Sequence, residues 1–121
     1  MIESLEGFPD DVVAFSARGR VTRQDYEDTL IPKVEQALAR HEGVRCYYEL
    51  GAQFSGMDAT AAWEDFRLGI EHLSRWTRVA VVTDVDWIRW AIHAFRFLVP
   101  GEVRVFGTSH GAEARNRIGA R

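Results

Sequence analysis

Arg78–Val99, RVAVVTDVDWIRWAIHAFRFLV, decides the fold. Arg78 to Thr83 is a nearly continuous apolar run, as expected of a central strand covered on both faces. Asp84 and Asp86 then turn the chain, and both suit the start of a helix, where a carboxylate caps free N–H groups and favours the dipole. The helix is expected from Val85 to Val99. At about 100° per residue, Arg89, His93 and Arg96 fall in one narrow stripe. Trp87, Trp90, Ala91, Ile92, Phe95, Phe97, Leu98 and Val99 spread over roughly 220° of the remainder, wider than a core-facing helix requires. The excess calls for a cover: a partner chain, an apolar ligand or a membrane surface. Trp87 lies opposite the Arg89–His93–Arg96 stripe and is expected to point inward. Trp90 and Phe97 flank the stripe, where a ring beside cations suits a water–apolar boundary.

Working outward, Ile2 to Glu6 reads as a short edge strand, and Val12 to Ala17 as a strand ending near Gly19. Thr22 followed by Asp25 has the spacing of a capping box and opens a helix that stops near Gly43. Pro32 falls inside that helix and is expected to kink it, because its ring crowds the carbonyl of Asp28. Val44 to Leu50 is the next strand, and Gly51 to Met57 a loop. Asp58 is placed to cap a second helix with Ala59, Ala62, Trp63, Phe66, Ile70 and Leu73 along one side. Trp76 comes just before the Arg78–Thr83 strand and is expected to cover the sheet edge. After Pro100 and Gly101 come a strand from Val103 to Phe106 and a last helix from Ala112 to Ile118. The order is β-β-α-β-α-β-α-β-α, which predicts a mostly parallel, mixed five-stranded sheet with helical cover in one domain spanning 1–121.

Composition is that of an ordinary globular protein: 121 residues, 46% hydrophobic, 27% charged, net charge −3. The charge is uneven. Residues 1–74 hold 7 Lys/Arg against 14 Asp/Glu, whereas residues 75–121 hold 8 Arg against 4 Asp/Glu, so the aromatic helix lies in the cationic part. The lone Cys46 permits no internal disulfide and reads as a core thiol. The N-terminus lacks a basic and an apolar signal region, and no apolar run reaches the roughly 18 residues of a spanning helix. A cytoplasmic location is expected, with a peripheral position at the inner membrane face as a further option.

The residues offer no catalytic constellation. His41, His72, His93 and His110 have no second ligand at zinc-like spacing, and no G-x-S-x-G elbow or Gly-rich phosphate loop occurs. No metal, cofactor or nucleic-acid partner is expected. Ligands of open α/β sheets bind beyond the carboxyl ends of the strands. Here those ends lead into Gly51–Met57 and Asp84–Asp86, so a cleft lined by Phe54, Met57, Trp63, Trp87 and Trp90 is expected, suited to an apolar ligand.

In this order, FSARGRVTRQDYEDTLIP, YYELGAQFSGMDATAAWED, RVAVVTDVDWIRW and VRVFGTSHGAEARNRI resemble the SpoIIAA-like branch of the STAS and Sec14-like domains over nearly the whole chain. The resemblance implies a non-enzymatic binding or regulatory module, plausible as a homodimer, with an apolar or lipid-like ligand or peripheral membrane contact. Arg89, Trp90, His93, Arg96 and Phe97 would form the membrane or partner surface. The competing reading is a homodimeric protein-interaction module of the anti-sigma-factor-antagonist type. Such antagonists carry a phosphorylatable serine in an Asp-Ser-Ser/Thr-Gly turn; here Ser55-Gly56 echoes that turn, but Phe54 stands where the Asp belongs. Ser55 is therefore a weak phosphosite candidate, and a turn residue before a helix by its simpler reading.

Overall fold

The structure, a computed structural model, describes residues 1–58, 67, 71, 73–99 and 101–119. The helix expected after Asp58, with Ala59, Ala62, Trp63, Phe66, Ile70 and His72, lies outside the described residues, as do the side chains of Leu73 and Phe95.

The elements run β1 (Ile2–Ser4), β2 (Val12–Val21), α1 (Arg23–Asp25), a π-helical turn (Tyr26–Leu30), α2 (Ile31–Arg40) and β3 (Val44–Met57). A 3₁₀ turn (Leu73–Arg75), β4 (Trp76–Thr83), α3 (Asp86–Phe95), β5 (Glu102–Phe106), a 3₁₀ turn (Thr108–His110) and α4 (Gly111–Gly119) follow. The five strands lie in the order β1-β2-β3-β4-β5; β1 is antiparallel to β2 and every other pairing is parallel. The expected mixed α/β sheet is therefore present.

Alternation along the strands sends side chains into two cores. On one face Val13, Phe15, Tyr48, Leu50 and Val81 meet Leu30, Val34 and Leu38 of the first helical run, and Ile88 of α3. On the other, Val12, Ala14, Tyr47, Ala80, Val82 and Phe106 meet Ala114 and Ile118 of α4. Arg45 ties the base of this second layer: its guanidinium donates to both Asp11 carboxylate oxygens and to the Ile118 carbonyl, at 2.5–3.0 Å.

The capping box is as expected: Asp25 N–H donates to Thr22 Oγ1 at 3.3 Å, and Thr22 N–H to the Asp25 carboxylate at 2.8 Å. Pro32 is accommodated differently from the expected kink. The helix widens to π geometry over Tyr26–Leu30, with Ile31 N–H reaching Tyr26 O, so Pro32 falls at the start of α2, where its missing N–H is not needed. Trp76 does not precede the strand or cover an edge; it opens β4, which is paired on both sides, and is buried, its indole N–H without an acceptor among the described residues. Gly51 to Met57 is strand rather than loop. It continues β3 past the end of β4 and pairs with the far end of β2, where Gly19, at φ 57°, bends the ladder at a bulge. Gly101 supplies close packing: a Cβ there would lie 2.5 Å from the Trp76 carbonyl oxygen.

Candidate functional site

The site is built on the turn from β4 into α3. Thr83, fully buried, accepts from the Val85 N–H through its hydroxyl at 3.1 Å, and its carbonyl accepts from the Arg89 guanidinium at 3.0 Å. These two bonds fix how the helix leaves the sheet. The acidic pair does not cap it as expected. Val85 is the N-cap residue and no side chain caps the helix. The Asp84 carboxylate instead accepts from Thr108, from the N–H at 3.0 Å and from the hydroxyl at a shorter contact, joining the β4–α3 turn to the turn that precedes α4. The Thr108 hydrogen bonds hold the Asp84 carboxyl below the usual carboxylate range.

With that start fixed, Ile88 is the inward residue, 6% exposed, and Ile92 follows it against the core one turn later. Trp87 does not point inward. It stands about 100° from Ile88 on the helix wheel and is 53% exposed, because the sheet is already met by its neighbour. Trp90 is 78% exposed, and Phe97 and Leu98, in the turn after the helix, are 80% and 52% exposed. Ala91 and Ala94 are exposed between them. The helix thus has three faces: an inward one through Ile88 and Ile92, an exposed apolar one through Trp87, Trp90, Ala91 and Ala94, and a cationic one between them.

The cationic face carries Arg89, His93 and Arg96. Arg89 uses one N–H on Thr83 and is half-buried; His93 and Arg96 are exposed. The Arg96 guanidinium carbon lies 5.1 Å from the centroid of the Phe97 ring, so cation and aromatic are presented together.

The other expected residues divide. Phe54 and Met57 sit on the distal arm of β3, partly buried, in the same core cluster as Val85 and Ile92. They pair with the far end of β2, at Gly19 and Val21, while Trp87 and Trp90 of α3 are exposed. Trp63 lies outside the described residues. Ser55 is exposed within the strand arm, not in a turn before a helix. Thr83 and Ile88 are the positions that sequence reasoning missed. The hydroxyl two residues before Val85 was the available signal for the first, and the phase it sets gives the second.

An open α/β sheet with an aromatic, cation-edged helix at its carboxyl end is the architecture of the SpoIIAA-like fold, a binding or regulatory module type. The family model that matches residues 12–116 is SpoIIAA-like, and the chain belongs to the SpoIIAA-like family. A solved structure, an uncharacterised protein of the DUF3478 family from Shewanella loihica PV-4 with a SpoIIAA-like fold, is 29% identical. The likeness covers 97% of this chain and 93% of that one, with a TM-score of 0.73. No curated protein matches the chain.

Proposed function

We propose that this binding module engages an apolar, lipid-like partner, and a membrane surface rich in anionic lipid above all, through the outer faces of α3. The observation that carries the reading is the exposure of Trp90 and Phe97, 78% and 80%, directly beside Arg89, His93 and Arg96. Large rings left in water have no role in holding the sheet, whereas burying each in an apolar phase is worth about 1.5–3 kcal/mol. The arginines next to them, Arg89 and Arg96, add attraction to anionic headgroups of about 1 kcal/mol each near the surface. No helix among the described residues is long and apolar enough to cross a membrane, so contact through α3 would be peripheral. Phe54 and Met57, partly buried on the distal arm of β3, are the further apolar residues this reading would assign to a single acyl or other apolar chain. The chemistry is binding, with no catalytic step.

The test is co-sedimentation with vesicles. The wild-type chain is expected to pellet with vesicles containing anionic lipid and much less with neutral ones, and Trp90→Glu/Phe97→Glu to stay in the supernatant. Equal pelleting of both proteins would overturn the reading. A homodimer formed through the same face is the rival outcome. It would appear in sedimentation velocity as a dimer of the wild type that the double variant loses, with roughly 1,200 Å² or more buried.

A further inference from the structure

Two apolar residues of the connection between β1 and β2 pack toward one face of the sheet, and Leu5 also borders a groove on the other. Leu5 and Phe8 pack on the α4 side, the Phe8 ring centroid 5.2 Å from that of Tyr47. The other face of the same edge is left open beside α2. A groove of about 220 Å³ lies there, floored by β2 from Val12 to Phe15. Lys33, Gln36 and Arg40 of α2 form one wall, with Ser4 and Asp10 opposite. Spacings of three and four residues place the α2 side chains on one face, and Lys33 and Arg40 are two turns, about 10 Å, apart along the axis.

These cations differ from nearly all others in the chain. Among the described Lys and Arg residues, only Lys33, Arg40 and Arg96 have neither a carboxylate nor a carbonyl partner, and two of the three share this groove. Asp10, the one carboxylate among the described residues of the lining, is turned toward His41, its Oδ2 3.5 Å from Nε2.

We propose that this groove is a binding site for a small dianion, a dicarboxylate or a phosphate ester, held between Lys33 and Arg40 with Gln36 and the Ser4 hydroxyl as neutral donors. Two unpaired cations facing one concave space supply the attraction, and fixed acceptors within the protein do not compete for them. The volume is below the roughly 300–1,000 Å³ of clefts that hold drug-sized molecules, which restricts the ligand to small metabolites. The site is independent of the α3 reading, because it uses α2 and the opposite chemistry.

The test is an amide-shift NMR titration at low ionic strength with glutarate, glycerol 3-phosphate and, as a single-charge control, acetate. Saturable shifts confined to residues around Ser4, Lys33, Gln36 and Arg40 are expected from one or both dianions, and whichever binds more tightly identifies the acid group. Lys33→Gln/Arg40→Gln is expected to weaken binding by about tenfold, and Asp10→Asn to strengthen it. These are exposed positions, and the same spectra report whether each variant is folded. Shifts that never saturate, shifts spread over all the cationic residues, acetate binding as tightly as the dianions, or a double variant that binds like the wild type would overturn the proposal.

Discussion

α2 and α3 contribute ten residues each to the same side of the sheet, yet they treat their apolar side chains differently. α2 buries Val34, Ala37 and Leu38 and turns Lys33, Glu35, Gln36 and Arg40 to water. α3 buries Ile88, half-buries Ile92, and exposes Trp87 and Trp90, its two largest rings. The first helix carries the apolar surface the sheet needs. The second carries that and a further face that folding does not use. A stripe facing the sheet reports on stability, and a surplus beside it reports on a second contact.

That contrast can be broken by mutation. Ile88→Ala should cost about 2–5 kcal/mol, as for a buried aliphatic side chain anywhere in the core, read as a drop in the urea midpoint. Arg45→Met should cost about 1–3 kcal/mol by stranding Asp11 and the Ile118 carbonyl. It should also alter the acid response. The Arg45 hydrogen bond holds the Asp11 pKa below its ordinary 3.8, so this group's contribution to stability is present above that pH and lost as pH falls through the lower folded value. Urea midpoints measured from pH 5 down to pH 2 should therefore fall less steeply in Arg45→Met. Thr22→Ala, which removes the capping box at the head of the α1–α2 run, should cost about 1 kcal/mol. Trp90→Ala should change stability by no more than about 0.5 kcal/mol. A Trp90→Ala loss as large as that of Ile88→Ala would abolish the distinction between the two faces of α3.

The parts of the fold set by local signals were legible. The Arg78–Thr83 run reads as a central strand because both faces are apolar, and Thr22–Asp25 reads as a capping box because its bonds join residues three apart. What sequence reasoning missed was set by distant partners. Gly51 to Met57 contains few good strand formers; it is held as strand by pairing with β2 around Gly19. Asp84 looked like a helix cap, but its partner, Thr108, is 24 residues away. For the candidate site, the surplus on α3 was visible in the sequence and its phase was not. The Thr83 hydroxyl, through Val85, starts the helix so that Ile88 and not Trp87 meets the sheet. Arg89 likewise read as one member of the Arg89–His93–Arg96 stripe, while in the fold it is partly engaged by the Thr83 carbonyl.

The most direct test of the role assigned to α3 is quenching of tryptophan fluorescence by anionic vesicles whose acyl chains carry bromine. The account predicts strong quenching of the wild type and its near-complete loss in Trp87→Phe/Trp90→Phe, since those two indoles would enter the apolar layer. Quenching that persists unchanged in the double variant, or a wild-type spectrum that saturating vesicles leave as it was, would contradict it.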